Sequence, residues 1–66
     1  MRNYYTPNEC FVKVVDYFIA NDVEIVTIRK HSTFAFAEIQ TFTINDKYTL
    51  AINRATGKIV KIDREV

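Results

Sequence analysis

The chain has almost none of the residues with which very small domains crosslink themselves. Its 66 residues include one cysteine and one histidine, which excludes an internal disulfide and a four-ligand zinc site. A core of this size supplies only about 3–5 kcal/mol of net stability, so small natural domains usually add a disulfide, a metal or a partner subunit. Because the first two are excluded, we expect a homo-oligomer, most simply a two-fold dimer.

An excess of one charge is also missing, and so are long apolar runs. Nine basic and eight acidic residues give a net charge of +1, whereas nucleic-acid-binding domains are usually strongly basic. No apolar run approaches the roughly 20 residues that a membrane-spanning helix needs. Residues 1–5 lack the apolar centre of a signal peptide. We therefore expect a single cytoplasmic domain covering residues 1–66, with a reduced thiol and no membrane partner.

The residue types that build enzyme sites are scarce. Gly57 is the only glycine, so no glycine-rich loop can cradle a phosphate. Cys10, near the start of a predicted helix, and His31, in a predicted loop, have no partners at a persuasive catalytic spacing. Their ordinary interpretations are a buried structural thiol and a solvated loop side chain. We therefore expect no catalytic residues, no cofactor and no bound metal.

The segment after residue 5 carries a complete helix-start signal. Thr6 can act as the N-cap, Pro7 fits the first helical position, and Glu9 can complete a capping box with Thr6. The pattern predicts a helix over Pro7–Ala20, since turn-forming residues follow it. The apolar arc of this helix is broader than one sheet contact needs. The additional apolar residues on its flanks are Val12, Tyr17 and Ile19.

After the helix, four segments rich in β-branched and aromatic residues predict strands. These segments are residues 23–30, 33–44, 47–53 and 58–63. Because the connections between them are short, neighbouring strands should pair antiparallel. The sequence therefore predicts an α+β fold in which the N-terminal helix packs on a four-stranded antiparallel β-meander, in the order α-β-β-β-β.

The last two strand segments also predict their own register. Leu50 and Ile52 alternate with polar or small residues before the turn, and Val60 and Ile62 alternate after it. A three-residue loop ending at Gly57, with Gly57 at positive φ, places Ile52 opposite Val60 and Leu50 opposite Ile62. All four apolar side chains then lie on one face of the sheet. A four-residue loop shifts each pair by one residue, so we do not expect it.

Two polar residues interrupt the second predicted strand. Glu38 and Gln40 have the same parity as the large apolar residues on either side of them. A regular strand would bury both in an aromatic surround, as a small polar site. The alternative is a β-bulge near residues 38–41 that turns them outward. We favour the bulge or a bend of the chain, because burying an unpaired carboxylate is costly.

Self-association requires a surface, and apolar residues beyond those needed for the core provide one. Small side chains lie on the second face of the predicted meander, and larger ones lie on the helix flanks. The candidate interface residues are Val12, Tyr17, Ile19, Ala35, Ala37, Ala51 and Ile59. We interpret the chain as a non-enzymatic accessory protein that acts through protein–protein association.

The aromatic residues of the second predicted strand support an alternative function. Phe34 and Phe36, two residues apart, resemble the centre of the motif with which RRM domains stack RNA bases. Arg29 and Lys30 precede them and could contact phosphates. The alternative is therefore single-stranded nucleic-acid binding through these four residues. The balanced net charge makes nucleic acid the less expected partner.

The C-terminal hairpin supports a further alternative. Residues 48–60, with Thr56-Gly57-Lys58 in the turn, resemble the final hairpin of PepSY-type modules, in which a helix and further strands precede it. The resemblance implies the helix-plus-meander topology. It also implies a module that restrains a peptidase by binding to it. It carries over no functional residue to this chain.

Overall fold

The computed structural model describes residues 4–64. Helix α1 covers Pro7–Ala20, and the strands are β1 Ile28–Lys30, β2 Ile39–Ile44, β3 Tyr48–Asn53 and β4 Ile59–Arg64. The strands form one antiparallel sheet in the order β1-β2-β3-β4, which confirms the predicted α+β fold. Within the described residues, no helix is long and apolar enough to cross a membrane. Residues 1–3, part of the segment considered for export, lie outside the described range.

Helix α1 begins at the predicted capping box. The Thr6 hydroxyl accepts a hydrogen bond from the Glu9 backbone N–H at 3.2 Å, and the Glu9 carboxylate accepts one from the Thr6 N–H at 2.8 Å. Pro7 occupies the first helical position, and Asn21 caps the other end. Both ends of the predicted helix are therefore confirmed, because local side chains satisfy the backbone groups that a helix end leaves open.

The core joins one stripe of α1 to one face of the central strands. Phe11 and Phe42 bring their ring centroids to 6.3 Å, and Phe18 and Tyr48 bring theirs to 6.1 Å. Burying a large apolar side chain contributes about 1.5–3 kcal/mol, so this cluster is the main source of stability. Its fully or nearly fully buried members are Cys10, Val14, Phe18, Phe42, Ile44, Leu50 and Ile52.

The predicted register of the β3–β4 hairpin is correct at the open end of the hairpin and wrong next to the turn. Leu50 faces Ile62 as predicted, but Ile52 faces Ile59 and not Val60. A register shift next to Ile52 makes Val60 an extra residue on β4, a β-bulge. The predicted common face is therefore wrong for Val60, whose side chain is 56% exposed. Ile59 takes its place and packs against the core.

The turn of this hairpin has four residues instead of the predicted three. The Asn53 N–H donates to the Lys58 carbonyl at 2.9 Å, and the Gly57 N–H donates to the Asn53 carbonyl at 2.8 Å. Gly57 has a φ of 73°, which confirms its predicted left-handed conformation. The four-residue loop shifts the pairing by one residue, and the bulge at Val60 shifts it back by one. The predicted pairing of Leu50 with Ile62 is therefore preserved at the open end of the hairpin.

The first predicted strand, residues 23–30, is shorter than expected. Only its last three residues form β1. The backbone before them bonds to the Asn45 side chain and not to a neighbouring strand. The Asn45 carboxamide oxygen accepts from the N–H groups of Val26 and Thr27 at 2.7 and 3.1 Å, and its nitrogen donates to the Glu24 carbonyl at 2.8 Å. These bonds hold the segment without a ladder.

The second predicted strand, residues 33–44, begins only at Ile39. The expected bulge is absent from β2, and the chain instead bends at Glu38. Glu38 precedes the strand and is exposed, whereas Gln40 is fully buried in a strand of regular register. The Gln40 amide nitrogen donates to the carbonyls of His31 and Thr41 at 2.6 and 3.0 Å. The amide oxygen has no partner. Of the two polar residues, only Gln40 is buried, and the Glu38 carboxylate stays exposed.

Candidate functional site: an exposed phenylalanine turn held by Arg54

The Arg54 side chain donates hydrogen bonds to four backbone carbonyls at one end of the sheet. It follows β3 and is only 5% exposed. One terminal guanidinium nitrogen donates to the carbonyls of Phe34, Ala35 and Ala37 at 3.1, 3.2 and 2.9 Å. The Arg54 backbone N–H donates to the Glu38 carbonyl at 2.7 Å. A single charged group thus fixes the path of the chain between β1 and β2.

The same arginine ties the N-terminal segment to this end of the sheet. Its Nε donates to the Tyr5 carbonyl at 2.9 Å, and the Tyr5 N–H donates to the Arg54 carbonyl at 2.8 Å. The guanidinium carbon lies 5.6 Å from the centre of the Tyr4 ring, within the range of a cation–π contact. Three separate segments therefore meet at Arg54.

The chain that Arg54 holds is a tight turn with two exposed aromatic side chains. Residues 34–37, which we call the phenylalanine turn, close with an Ala37 N–H to Phe34 carbonyl bond of 3.0 Å. Phe34 is 85% exposed and Phe36 is 87% exposed. Scattered exposed apolar residues are common in monomeric proteins. Two nearly bare phenylalanines on a backbone fixed by a buried arginine are a stronger indication of a binding surface.

A surface cavity of about 230 Å³ lies beside the phenylalanine turn and is lined by Ser32, Thr33 and Phe34. Small-molecule sites usually enclose about 300–1,000 Å³. The cavity is therefore small for a metabolite or cofactor, and the projecting rings are the more informative feature of this region.

The residues predicted to bind nucleic acid do not form one stacking surface. Phe34 and Phe36 lie in a turn and not on a strand, so the RRM-like arrangement is absent. Arg29 pairs with Asp46 at 3.4 Å, and both side chains are largely exposed. Lys30 donates to the side-chain oxygen of Asn8 at 3.3 Å. The two cations thus have local partners away from the turn.

The predicted interface residues lie at four separate places in the structure. Val12, Tyr17 and Ile19 lie on the helix with exposures of 56%, 40% and 63%. Ala51 is partly buried on β3, opposite Thr41 and Lys61 on the face away from the core.

The remaining three predicted interface residues do not share the second sheet face with Ala51. Ala35 and Ala37 belong to the phenylalanine turn, because the chain leaves the sheet before Ile39. Ile59 packs against the core, because the bulge at Val60 reverses its side. Placing these three residues on the second face was therefore wrong.

The two candidate reactive side chains have structural surroundings. Cys10 is fully buried. Burial raises the pKa of its thiol, and the charge of Arg54 offsets this only in part. The Nε2 of His31 lies 2.6 Å from the Thr43 hydroxyl. Among residues 4–64, no group of three or more histidine, cysteine or acidic side chains is placed to hold a metal ion.

Comparisons with known proteins identify no relative of this chain, so the site is described from its geometry alone. No protein-family model matches the chain, and no curated protein or solved structure matches it significantly.

The central residue of the site, Arg54, was not predicted from the sequence. Its parity with Leu50 and Ile52 could have indicated it, since alternate residues of a strand share a face.

Proposed function

We propose that the protein is a non-enzymatic association protein that inserts its phenylalanine turn into an apolar recess of another protein. The observation that carries the proposal is the combination of two nearly bare phenylalanines with a backbone fixed by Arg54. The proposal includes self-association as a two-fold dimer and a reducing compartment such as the cytoplasm, in which Cys10 stays a free thiol.

The energetics favour a docking role for this turn. Burying one phenylalanine side chain is worth about 1.5–3 kcal/mol, so two of them can anchor an interface. Binding normally costs free energy to order mobile loops. Here the three carbonyls of the turn already accept bonds from Arg54, which lowers that cost. Aromatic anchors presented on a rigid backbone are typical of interface hot spots.

Photo-crosslinking in the cells that produce the protein tests this proposal. A benzophenone amino acid at Phe36 should give discrete adducts with another protein. The same group at Thr56, in the exposed β3–β4 turn, should not give them. Phe34→Ser should abolish the adducts formed from position 36 without changing the melting temperature, because the Phe34 side chain is outside the core. Equal labelling from both positions would contradict the proposal.

Binding of single-stranded nucleic acid is the alternative that the same rings allow. Aromatic stacking contributes about 1–3 kcal/mol per base, and the accompanying phosphate contacts make affinity strongly dependent on salt. Fluorescence anisotropy with labelled single-stranded RNA and DNA at 50 and 200 mM salt separates the two functions. Micromolar binding that weakens with salt and is lost in Phe34→Ser would show that the ligand of the phenylalanine turn is nucleic acid and not a protein.

A further inference from the structure

We infer that the second copy in the dimer pairs with the open edge of β4, in an antiparallel register centred on Ile62. The inference rests on the self-association in the proposed function and specifies its surface. Among residues 4–64, the strand order leaves β1 and β4 as the two edges of the sheet. An uncovered edge presents backbone donors and acceptors that another strand can satisfy.

The two edges differ in length and in charge. Strand β1 has three residues, whereas β4 has six, and every β4 residue except Ile59 is exposed. Self-pairing of β1 about its central residue would set Arg29 opposite Arg29. Like charges directly opposite each other are unfavourable in an antiparallel pair. The longer edge, β4, is therefore the better template for a second copy.

The backbone of Ile62 points away from β3. Asn53 directs its N–H to Lys58, the residue before β4, whereas Arg54 directs its N–H to Glu38, the residue before β2. Because backbone groups alternate along a strand, Leu50 shares the direction of Arg54 and turns its donor and acceptor away from β4. Ile62 lies opposite Leu50, so its own N–H and carbonyl point outward, to where a second strand would lie.

The charges along β4 select one register. With Ile62 opposite Ile62 of the second copy, Lys61 lies opposite Asp63 of that copy, and this pair occurs twice about the two-fold axis. Moving the axis to Lys61 sets two lysines against each other, and moving it to Asp63 sets two aspartates against each other. Lys61 and Asp63 are already 3.4 Å apart within one chain, so each can exchange its partner across the axis.

Apolar surface is also available along this edge. Ile62 is 38% exposed although it lies on the core face opposite Leu50. The helix flank on this side carries Lys13, which lies against Gly57 of the β3–β4 turn. Tyr17 follows one turn later on the same flank and is 40% exposed. A continuous eight-stranded sheet would cover Ile62 with the same residue of the second copy.

Charge reversal on β4 tests the register by sedimentation equilibrium. Lys61→Asp alone, and Asp63→Lys alone, each place like charges opposite each other at both positions, and each should weaken the dimer about tenfold or more. Mixing the two variants should restore the dimer as a heterodimer with two attractive pairs. The double variant K61D/D63K should also dimerise. Lys47→Asp, in the β2–β3 turn, is the control and should leave association unchanged.

A covalent probe gives independent evidence. In a hydrogen-bonded antiparallel pair the Cα atoms are about 5.5 Å apart, within the span of a disulfide. Ile62→Cys should therefore form an intermolecular disulfide on mild oxidation, and Thr56→Cys should not. A wild-type chain that stays monomeric at 100 µM would overturn self-association itself. A wild-type dimer that ignores the charge reversals would overturn only the β4 register.

Discussion

Tyr5 and Arg54, 49 residues apart in the chain, are joined by two reciprocal hydrogen bonds. The Tyr5 N–H donates to the Arg54 carbonyl at 2.8 Å, and the Arg54 Nε donates to the Tyr5 carbonyl at 2.9 Å. The pair acts as a short bridge between the segment before α1 and the end of β3. It places the guanidinium where one of its two terminal nitrogens reaches the phenylalanine turn.

Replacing Arg54 with methionine should therefore loosen two segments at once. The change removes the donors to four carbonyls while keeping much of the apolar stem. Leaving buried acceptors unpaired costs about 1–3 kcal/mol each where water cannot reach them, so we expect a loss of at least about 2 kcal/mol in urea unfolding. Hydrogen exchange of the Ala37 N–H should accelerate. Lys47→Met removes an exposed cation and is the control. Equal stability of the two variants would contradict this role.

Gly57 is expected to tolerate a side chain poorly for two separate reasons. Its φ of 73° disfavours other residues, and an added Cβ would lie 2.9 Å from Cε2 of Tyr5 and 3.0 Å from Cε of Lys13. Gly57→Ala should destabilise the protein by about 1–2 kcal/mol. Gly57→Asn introduces the same Cβ but adopts positive φ more readily, so it should be the milder change. If the two variants melt together, backbone strain is not the main cost.

Much of the fold was predictable because its signals are local. The capping box of Thr6 and Glu9 fixes the start of α1 within four residues. The alternation around Leu50 and the positive φ of Gly57 likewise depend on short stretches of sequence. Such patterns predict element type and order well. They predicted the Leu50–Ile62 pair but missed the bulge at Val60, because a longer loop and a bulge compensate each other.

The candidate site was less predictable because its partners are distant. Asn45 satisfies the backbone of Val26 and Thr27 from 19 and 18 positions away, and Arg54 reaches Phe34 across 20 positions. In both cases a polar side chain takes the place of a neighbouring strand, so residues with strong β-propensity form loops. Propensity alone cannot distinguish these alternatives, because tertiary context decides between them.

Asn45 provides a matched test of this explanation. Asn45 and Asp46 both have positive φ, 55° and 51°, so alanine at either position meets similar backbone strain. Asp46→Ala also removes the exposed ion pair with Arg29, which is worth at most about 1 kcal/mol. Asn45→Ala instead removes the bonds to the backbone of Glu24, Val26 and Thr27. We expect it to cost about 1–3 kcal/mol more than Asp46→Ala in thermal or urea unfolding. Equal losses would show that the turn conformation, and not the side-chain bonds, limits stability.

The pH dependence of stability should reveal the buried thiol of Cys10. Burial raises the pKa of this thiol in the folded protein, although the nearby Arg54 charge lowers it in part. In the unfolded chain the thiol ionises near its ordinary pKa of about 8.5. Above that pH the unfolded state releases a proton that the folded state still holds, so ionisation favours unfolding.

The stability of the wild type should therefore fall relative to Cys10→Ala between pH 8 and 10, by no more than about 1.4 kcal/mol per pH unit. Urea unfolding of both proteins at several pH values measures the difference, and the alanine variant controls for the titration of all other groups. Parallel stability curves would mean that Cys10 ionises equally easily in the folded and unfolded chains.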